Sequence, residues 1–321
     1  MISIRATSDL EECHRLWKNH WPRECLFDLW QLRTAFLAPF GRQPFFLVAE
    51  GGGKPLGLLA LSWIAEKGYY GHFPGELWNG KTWLEQNKII AASPTVSSAL
   101  VDAVPGPVHV RYLQPGYCNL PDQPVQHDET GYLFSPADFN FSFATYLAHF
   151  PGKTRRKIER ETRAINSQGV VISHNQLADV EKLFTLNLEA YKEWSYFADE
   201  RFARAFENLV AWLWDQGLLR LTSVRIGGKL AAVDLGAVWQ GTYTLLAGGT
   251  NGAFPGVAKV INLHHLEWSC AQRIKLVDFL CGDFNWKERF RLTARPLYAF
   301  SNMQAIDEPL DGREEEIAHA C

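Results

Sequence analysis

The chain opens with a strand-like alternation of apolar and polar residues, and a helical pattern follows. Residues 2–5 alternate, and residues 7–17 (TSDLEECHRLW) carry Ser8 and Glu11 at the capping-box spacing of a helix start. Residues 45–64 (FFLVAEGGGKPLGLLALSWI) then contain two apolar, β-rich runs joined by a glycine-rich turn, which is typical of a β-hairpin. The first part of the chain therefore predicts the order strand, helix, hairpin.

The same order of elements returns after a basic, helical stretch at residues 141–166. Residues 169–175 predict a short strand, and residues 177–194 and 200–216 carry apolar side chains at helical spacing. Residues 218–239 then contain two strand-like runs around a Gly-Gly turn, which predicts a second hairpin.

The two predicted hairpins resemble each other in sequence. Residues 48–63 and 224–239 each begin with Val, have Gly-Gly at the fourth and fifth places and Leu at the twelfth, and end with Trp, at a separation of 176 residues. Either the chain contains an internal repeat, or two amphipathic hairpins share a general pattern. The repeat favours two domains at 1–140 and 141–306, followed by an acidic tail at 307–321.

Composition places the chain among ordinary globular proteins. It has 321 residues, 47% hydrophobic and 21% charged, which suits two folded domains. No apolar stretch reaches the ~20 residues of a membrane span, and the start of the chain lacks an apolar signal segment. We therefore expect a cytoplasmic protein without a membrane span. The six cysteines contain no C-x-x-C pair, so free thiols are expected.

Charge is close to balanced overall but concentrated locally. The net charge of −3 does not indicate a general affinity of the chain for nucleic acid. Residues 151–163 (PGKTRRKIERETR) nevertheless hold six basic and two acidic side chains. This segment is either a solvated helix face or a docking site for phosphates of a cofactor or of RNA.

A glycine-rich connection between a strand and a helix provides a candidate anion site. The strand at residues 242–249 ends in Gly248 and Gly249, and a long helix starts near Gly256, with Pro255 suited to a helix start. Unpaired backbone N–H groups and the positive end of a helix dipole meet at such a point. Many α/β proteins close this connection with glycine and bind nothing there, so both interpretations stay open.

The C-terminal half carries a motif that points to a family. Residues 278–287 (DFLCGDFNWK) are similar to the pattern D-F-L-x-G-D-x-x-Y-K, and residues 153–163 form the basic helix that usually precedes it. The layout of residues 170–303 resembles an acyltransferase domain of the GNAT superfamily. The whole chain resembles the double-GNAT proteins of the FemAB-like and BioF2-like acetyltransferase group. The resemblance implies an α/β (α+β) fold of tandem GNAT-like domains, with mixed, mostly antiparallel sheets flanked by helices.

The resemblance also implies acetyl-CoA or another acyl-CoA as acyl donor. GNAT folds hold the CoA pyrophosphate on a loop Q/R-x-x-G-x-G/A, which residues 253–258 (AFPGVA) match at Gly256 and Ala258 but not at Ala253. Trp286 stands where related proteins usually carry Tyr, so a Tyr general acid is not carried over. The predicted cofactor-binding residues are Leu246, Ala247, Gly248, Gly249, Gly252, Gly256, Val257, Ala258 and Lys259.

Asp234 is the first candidate for a catalytic base. It is the one carboxylate in the apolar run AAVDLGAV, where an ionised group is costly to bury unless it is paired or used. It could equally be a structural hydrogen-bond acceptor. Glu189 and Glu193, on the helix expected to border the substrate cleft, are weaker candidates. His264 and His265 are adjacent in sequence and lack the H-E-x-x-H spacing, so no metal site is predicted.

These observations predict an acyl-CoA-dependent N-acyltransferase, most simply an acetyltransferase. The acceptor would be a primary amine on a small molecule or a peptide, attacking directly because no covalent-nucleophile motif is present. FemAB-like relatives that use aminoacyl-tRNA provide a first alternative, in which the basic helix meets tRNA. A second alternative is a GNAT-like protein that binds acyl-CoA without catalysis.

Overall fold

The computed structural model describes residues 2–121, 125–282 and 286–303, so the predicted acidic tail lies outside the described residues. The strands are β1 (Ser3–Thr7), β2 (Pro44–Gly51), β3 (Lys54–Ile64), β4 (Tyr69–His72), β5 (Ile90–Ala91), β6 (His109–Leu113), β7 (Val125–Phe134), β8 (Val170–His174), β9 (Leu219–Ile226), β10 (Lys229–Trp239), β11 (Thr242–Thr250), β12 (Leu276–Asp278) and β13 (Thr293–Ser301). The helices are α1 (Leu10–His20), α2 (Trp30–Thr34), α3 (Pro94–Asp102), α4 (Phe143–Ala148), α5 (Gly152–Asn166), α6 (Val180–Tyr191), α7 (Glu200–Asp215), α8 (Val257–Ala271) and α9 (Trp286–Arg289). Among the described residues, no helix is both long and apolar enough to cross a bilayer.

The chain forms two compact units that exchange segments. The first unit contains the chain up to Thr130, the segment Asp199–Leu209 and the segment that starts at Arg295. The second unit contains Gly131–Ala198 and Val210–Ala294. The predicted division at residue 140 treats the two halves as continuous. In the structure, by contrast, the start of α7 belongs to the first unit.

The sheet of the first unit is antiparallel, in the order β1-β2-β3-β4, with β5 also paired to β3. Helix α1 begins one residue later than the capping pair Ser8 and Glu11 predicted. Its N-cap is Asp9, whose Oδ1 accepts a hydrogen bond from the N–H of Glu12 at 2.7 Å. One face of the β2-β3 hairpin packs on Trp17 of α1, and the other face packs on α3.

The sheet of the second unit is mixed, with the order β7-β12-β11-β10-β9-β8. In this sheet β11 and β12 are parallel, whereas the other neighbouring pairs are antiparallel. Helix α8 covers one face, where Val257, Val260 and Ile261 pack on β9 and β10. Together with the antiparallel sheet of the first unit, this arrangement confirms the predicted class of mixed, mostly antiparallel sheets flanked by helices.

The two hairpins correspond more closely than the sequence match suggested, and at a different separation. Gly51 pairs with Lys54 across one turn, and Ile226 pairs with Lys229 across the other, so the separation is 175 residues and not 176. In both hairpins the register shifts at the third residue of the second strand. Because side chains alternate between the faces of a strand, this one-residue correction places Asp234 opposite Leu59 in the comparison.

Candidate functional site

The predicted anion site lies in the loop between β11 and α8, and the loop holds its shape through one side chain. The side-chain Oδ1 of Asn251 accepts from the N–H of Ala253 at 2.9 Å, and its carbonyl accepts from Phe254 at 3.0 Å. The N–H of Asn251 donates to the carbonyl of Ala231 on β10 at 2.8 Å, which ties the loop to the sheet. These bonds position the chain directly before the start of α8.

Helix α8 begins without a side-chain cap. Its N-cap is Gly256, which has a φ of +82° and no side-chain acceptor. A Cβ at this position would also lie 2.9 Å from the Cδ1 of Ile165. Within the described residues, the N–H groups of Gly252, Gly256 and Ala258 have no hydrogen-bond acceptor. Free N–H groups at a helix N-terminus can bind an anion.

Two of the predicted cofactor residues use their side chains elsewhere. Lys259 forms an ion pair with Glu161 of α5, and this hydrogen bond lowers the pKa of the Glu161 carboxyl. Val257 is 2% exposed and packs against Ile165 in the core. Both residues can therefore contact an anion through their position in the first turn, but not by a free side chain.

Strands β11 and β12 diverge beside this loop. They pair only through residues 242–244 and 276–278 in the described part of the chain. After Asp278 the chain turns toward β7, where the N–H of Phe279 donates to the carbonyl of Tyr132 at 2.9 Å. The edge of β11 at residues 245–250, which includes the predicted Leu246, Ala247, Gly248 and Gly249, is thus left without β12 as a partner.

A buried lysine stabilises the diverging segment. The Nζ of Lys287 donates to the carbonyls of residues 279–281 at 3.0, 3.0 and 2.7 Å, and the side chain is 2% exposed. The expected pairing of Lys287 with Asp283 falls on a residue outside the described ones. The ring of Trp286 packs edge-on against Phe290 at 5.5 Å.

Asp234 lies in the middle of β10, directly opposite Gly248 of β11. It is 5% exposed, and its Oδ2 lies 2.9 Å from the Nε2 of His265 on α8. A Cβ at position 248 would come within 2.5 Å of the Oδ1 of Asp234. The glycine therefore makes room for the carboxylate at the diverging edge of β11.

The structure does not bring Glu189 and Glu193 to Asp234. Asp234 faces α8, whereas α6 packs on the opposite face, where a Cβ on Gly249 would lie 2.9 Å from the carbonyl of Leu183. Glu189 and Glu193 are both exposed. The idea that these carboxylates share one cleft with Asp234 is therefore wrong, because alternate residues of β11 face different helices.

Sequence reasoning missed two residues of this region. His265 was considered only as a metal ligand, although a carboxylate on a facing strand is an ordinary partner for a buried histidine. Asn187 of α6 donates from Nδ2 to the carbonyl of Gly248 at 2.8 Å, and its Oδ1 accepts from Ser195 at 2.6 Å. A polar residue within the buried stripe of α6 was the available signal.

Helix α5 borders the loop and carries free positive charge. Lys153, Arg156, Arg160 and Arg163 recur at spacings of three and four residues, so they share one exposed face. In the described part of the chain none of these four, here called the basic stripe, has a salt-bridge partner. By contrast, Arg155 and Lys157 pair within the helix.

Comparisons with known proteins agree with this geometry. Residues 152–288 match the family model described as an acetyltransferase (GNAT) domain. Among the curated proteins, none matches this sequence. FemX has a TM-score of 0.58 at 10% identity, over 94% of this chain and 97% of that chain. L-PGS from Bacillus licheniformis has a TM-score of 0.57 at 11% identity, over 98% and 97%.

A tandem GNAT protein from the clavulanic acid biosynthesis pathway has a TM-score of 0.51 at 10% identity, over 95% of this chain and all of that chain. At these identities the likeness concerns the fold. Together with the family match, it confirms the predicted GNAT superfamily and FemAB-like double-GNAT architecture. The C-terminal part of the chain is an acyltransferase domain.

Proposed function

We propose that this GNAT-superfamily acyltransferase uses an acyl-CoA, most simply acetyl-CoA, to acylate a primary amine. The observation that supports the donor is the uncapped start of α8, with the free N–H groups of Gly252, Gly256 and Ala258 beside it. A pyrophosphate carries the negative charge that such a helix start attracts. The acyl end would then reach the diverging edge of β11.

The chemistry requires a neutral amine and a stabilised oxyanion. An alkyl amine like that of Lys has a pKa of ~10.4, so deprotonation at neutral pH costs ~4–5 kcal/mol. In our proposal Asp234 accepts this proton through Oδ1, directly or through a water. The amine nitrogen then attacks the thioester carbonyl, a backbone N–H on the free edge of β11 stabilises the oxyanion, and the departing thiolate takes the second proton of the amine.

Calorimetry with CoA and acetyl-CoA tests the donor. We expect binding by the unmodified chain and its loss in Gly256→Glu, which places bulk and negative charge at the helix start. Gly217→Glu is the matched control, because Gly217 also has a positive φ, of 67°, and no atom within 4 Å of its Cβ position. If the unmodified chain ignores millimolar CoA, or if both variants lose binding equally, the acyl-CoA proposal fails.

An aminoacyl-tRNA donor is the second candidate, and the basic stripe of α5 favours it. Four cations without salt-bridge partners on one helix face suit a run of phosphates better than a single pyrophosphate. The fold shared with FemX and L-PGS makes this a relevant comparison. Under this hypothesis the acyl group would arrive as an aminoacyl ester of tRNA.

Binding of tRNA at several salt concentrations distinguishes the two donors. The aminoacyl-tRNA hypothesis expects affinity to fall steeply with salt, and the slope to decrease by roughly 0.7–0.9 for each phosphate contact removed. Arg160→Gln with Arg163→Gln should reduce the slope, whereas Arg155→Gln, which removes a paired arginine, should change it less. Flat salt dependence together with thiol release from acetyl-CoA would favour acyl-CoA.

A further inference from the structure

Several buried polar atoms without partners lie around α8 of the second unit. They are Nε and Nη2 of Arg220, the hydroxyl of Tyr243, Nε2 of His264 and Nδ1 of His265. An unpaired buried polar group costs ~1–3 kcal/mol, so such a concentration calls for an explanation. All of these groups lie on or against the sheet face that α8 covers, which is the face of Asp234.

The sheet register explains how these side chains meet. Arg220 of β9 pairs with Gly236 of β10, and the ring of Tyr243 lies across the same glycine, 2.4 Å from its Cβ position. The Tyr243 ring is 5.2 Å from that of His265. The small residue at position 236 therefore opens a polar layer between the sheet and α8.

His265 is the member of this layer that contacts Asp234. Both side chains are buried, and Nε2 and Oδ2 are 2.9 Å apart. A carboxylate can only accept, so an ionised Asp234 requires the proton of His265 on Nε2. The unpaired Nδ1 is then an acceptor, near the Tyr243 hydroxyl and the other donors of the layer.

We propose that His265 is the positioning residue of the catalytic carboxylate: it holds Oδ2 of Asp234 so that Oδ1 stays beside Gly248 at the free edge of β11. This inference rests on the proposed function, in which Asp234 is the base. A hydrogen bond donated to a carboxylate also favours its ionised form, so His265 would keep Asp234 ready to accept a proton.

The other titratable groups around His265 do not replace it as a donor to Asp234. Burial lowers the pKa of His264 to about 4, and burial also lowers the pKa of His174 on β8, so both are neutral near pH 7. Burial raises the pKa of Tyr243, which keeps its proton. The guanidinium of Arg220 stacks on Trp268, 3.5 Å from the ring centroid. In the described residues, the hydrogen bond printed for the Asp234 carboxylate is the one with His265.

Three variants on α8 test the role. His265→Leu removes the donor, His265→Gln keeps an N–H at a similar distance from the backbone, and His264→Leu removes the neighbouring imidazole as a matched control. With acetyl-CoA and an amine, we expect His265→Leu to lower kcat by ~10²-fold. We also expect the acid limb of its pH profile to rise by ~1 unit or more, since a hydrogen bond to a charged group is worth ~1.5–3 kcal/mol. His265→Gln should recover most of both effects, and His264→Leu should show neither.

A purely structural role for His265 would lower the melting temperature in both His265 variants and leave the acid limb in place, and that result overturns the inference. A second readout does not need turnover. The carboxyl ¹³C shift of Asp234, assigned with Asp234→Asn, should titrate at higher pH in His265→Leu than in the unmodified chain and in His265→Gln. If the unmodified chain lacks turnover but this shift appears, the acylation proposal fails while the His265–Asp234 coupling stands. If the titration is the same in all three proteins, the coupling itself is wrong.

Discussion

The corresponding hairpins of the two units carry opposite chemistry on the same face. In the first unit the face toward α3 presents Leu47, Leu59 and Leu61, each at most 2% exposed. In the second unit the corresponding face, toward α8, includes Asp234 and Gly236. One hairpin thus builds an apolar core, whereas the other holds a carboxylate against a histidine. The comparison indicates that the repeated framework is structural and that the polar layer is specific to the second unit.

The helices on these two faces also start differently. Ser93 caps α3, because its side-chain oxygen accepts from the N–H of Val96. Gly256 precedes α8 and has no side chain to do so. A capped start satisfies its own N–H groups, and an uncapped start leaves them for a ligand. This difference places the proposed donor site in the second unit.

The largest effect is expected where the two faces differ most. Asp234→Asn keeps the shape of the side chain and can still bond to His265, so the fold and CoA affinity should persist. Turnover should fall by ~10²–10⁴, the usual contribution of a general base. Thiol release, calorimetry and thermal melting measure the three quantities. Turnover at the parental rate would assign the base elsewhere, and unfolding would make Asp234 a structural acceptor.

The equivalent position in the first unit should respond in stability and not in chemistry. Leu59→Ala removes a fully buried side chain and should lower the free energy of unfolding by ~2–5 kcal/mol. CoA affinity below the melting transition should not change. Leu10→Ala, at a side chain that is 46% exposed, is the control and should stay within ~0.5 kcal/mol. Urea unfolding measures both, and equal effects would contradict the assigned core role of Leu59.

Buried titratable groups should make the two units respond oppositely to pH. Burial raises the pKa of Glu76 in the first unit to about 7, so its ionised form destabilises the fold. Glu76→Gln should therefore be more stable than the parent at pH 8, by at most ~3 kcal/mol. The difference should disappear as the pH falls from 7 to about 4.5, where the carboxyl is also protonated in the unfolded chain. Urea unfolding at several pH values checks this trend.

For His264 in the second unit the direction reverses. The folded pKa of about 4 lies below the ordinary 6.5, so the unfolded chain binds a proton first and stability is lost as the pH falls from 6.5 through 4. His264→Gln should remove this loss, so its advantage over the parent grows toward acid pH. A constant difference between pH 4 and 8 would contradict the assignment.

The smallest effect is expected at the cap of α3. Ser93→Ala should cost ~1 kcal/mol of stability and Ser93→Gly only a few tenths, because glycine is itself tolerated at an N-cap. Neither change should alter CoA affinity if the donor site belongs to α8. Denaturation and calorimetry on the same samples test both statements. Weaker CoA binding in either variant would place a ligand contact in the first unit.

Local patterns allowed much of the framework to be predicted. The alternation in residues 45–64 and 218–239 predicted both hairpins, and the structure has them at β2-β3 and β9-β10. The glycine connection before α8 was predicted for the same reason, since glycine marks positions that need a positive φ. Residues 68–140 gave no clear pattern, because their strands β4 and β5 are only four and two residues long.

The sequence by itself determined the order of elements, the glycine start of α8, the basic stripe and the isolated carboxylate at position 234. Those features depend on near neighbours in the chain, where the periods of helix and strand leave a readable trace. Only the tertiary structure decided that Asp234 faces His265 and not Glu189, that Lys259 pairs with Glu161, and that the hairpins align at 175 residues. These contacts join distant segments, and a shift of one residue in strand register would reverse every face. Pairing between strands therefore settles what the local pattern leaves open.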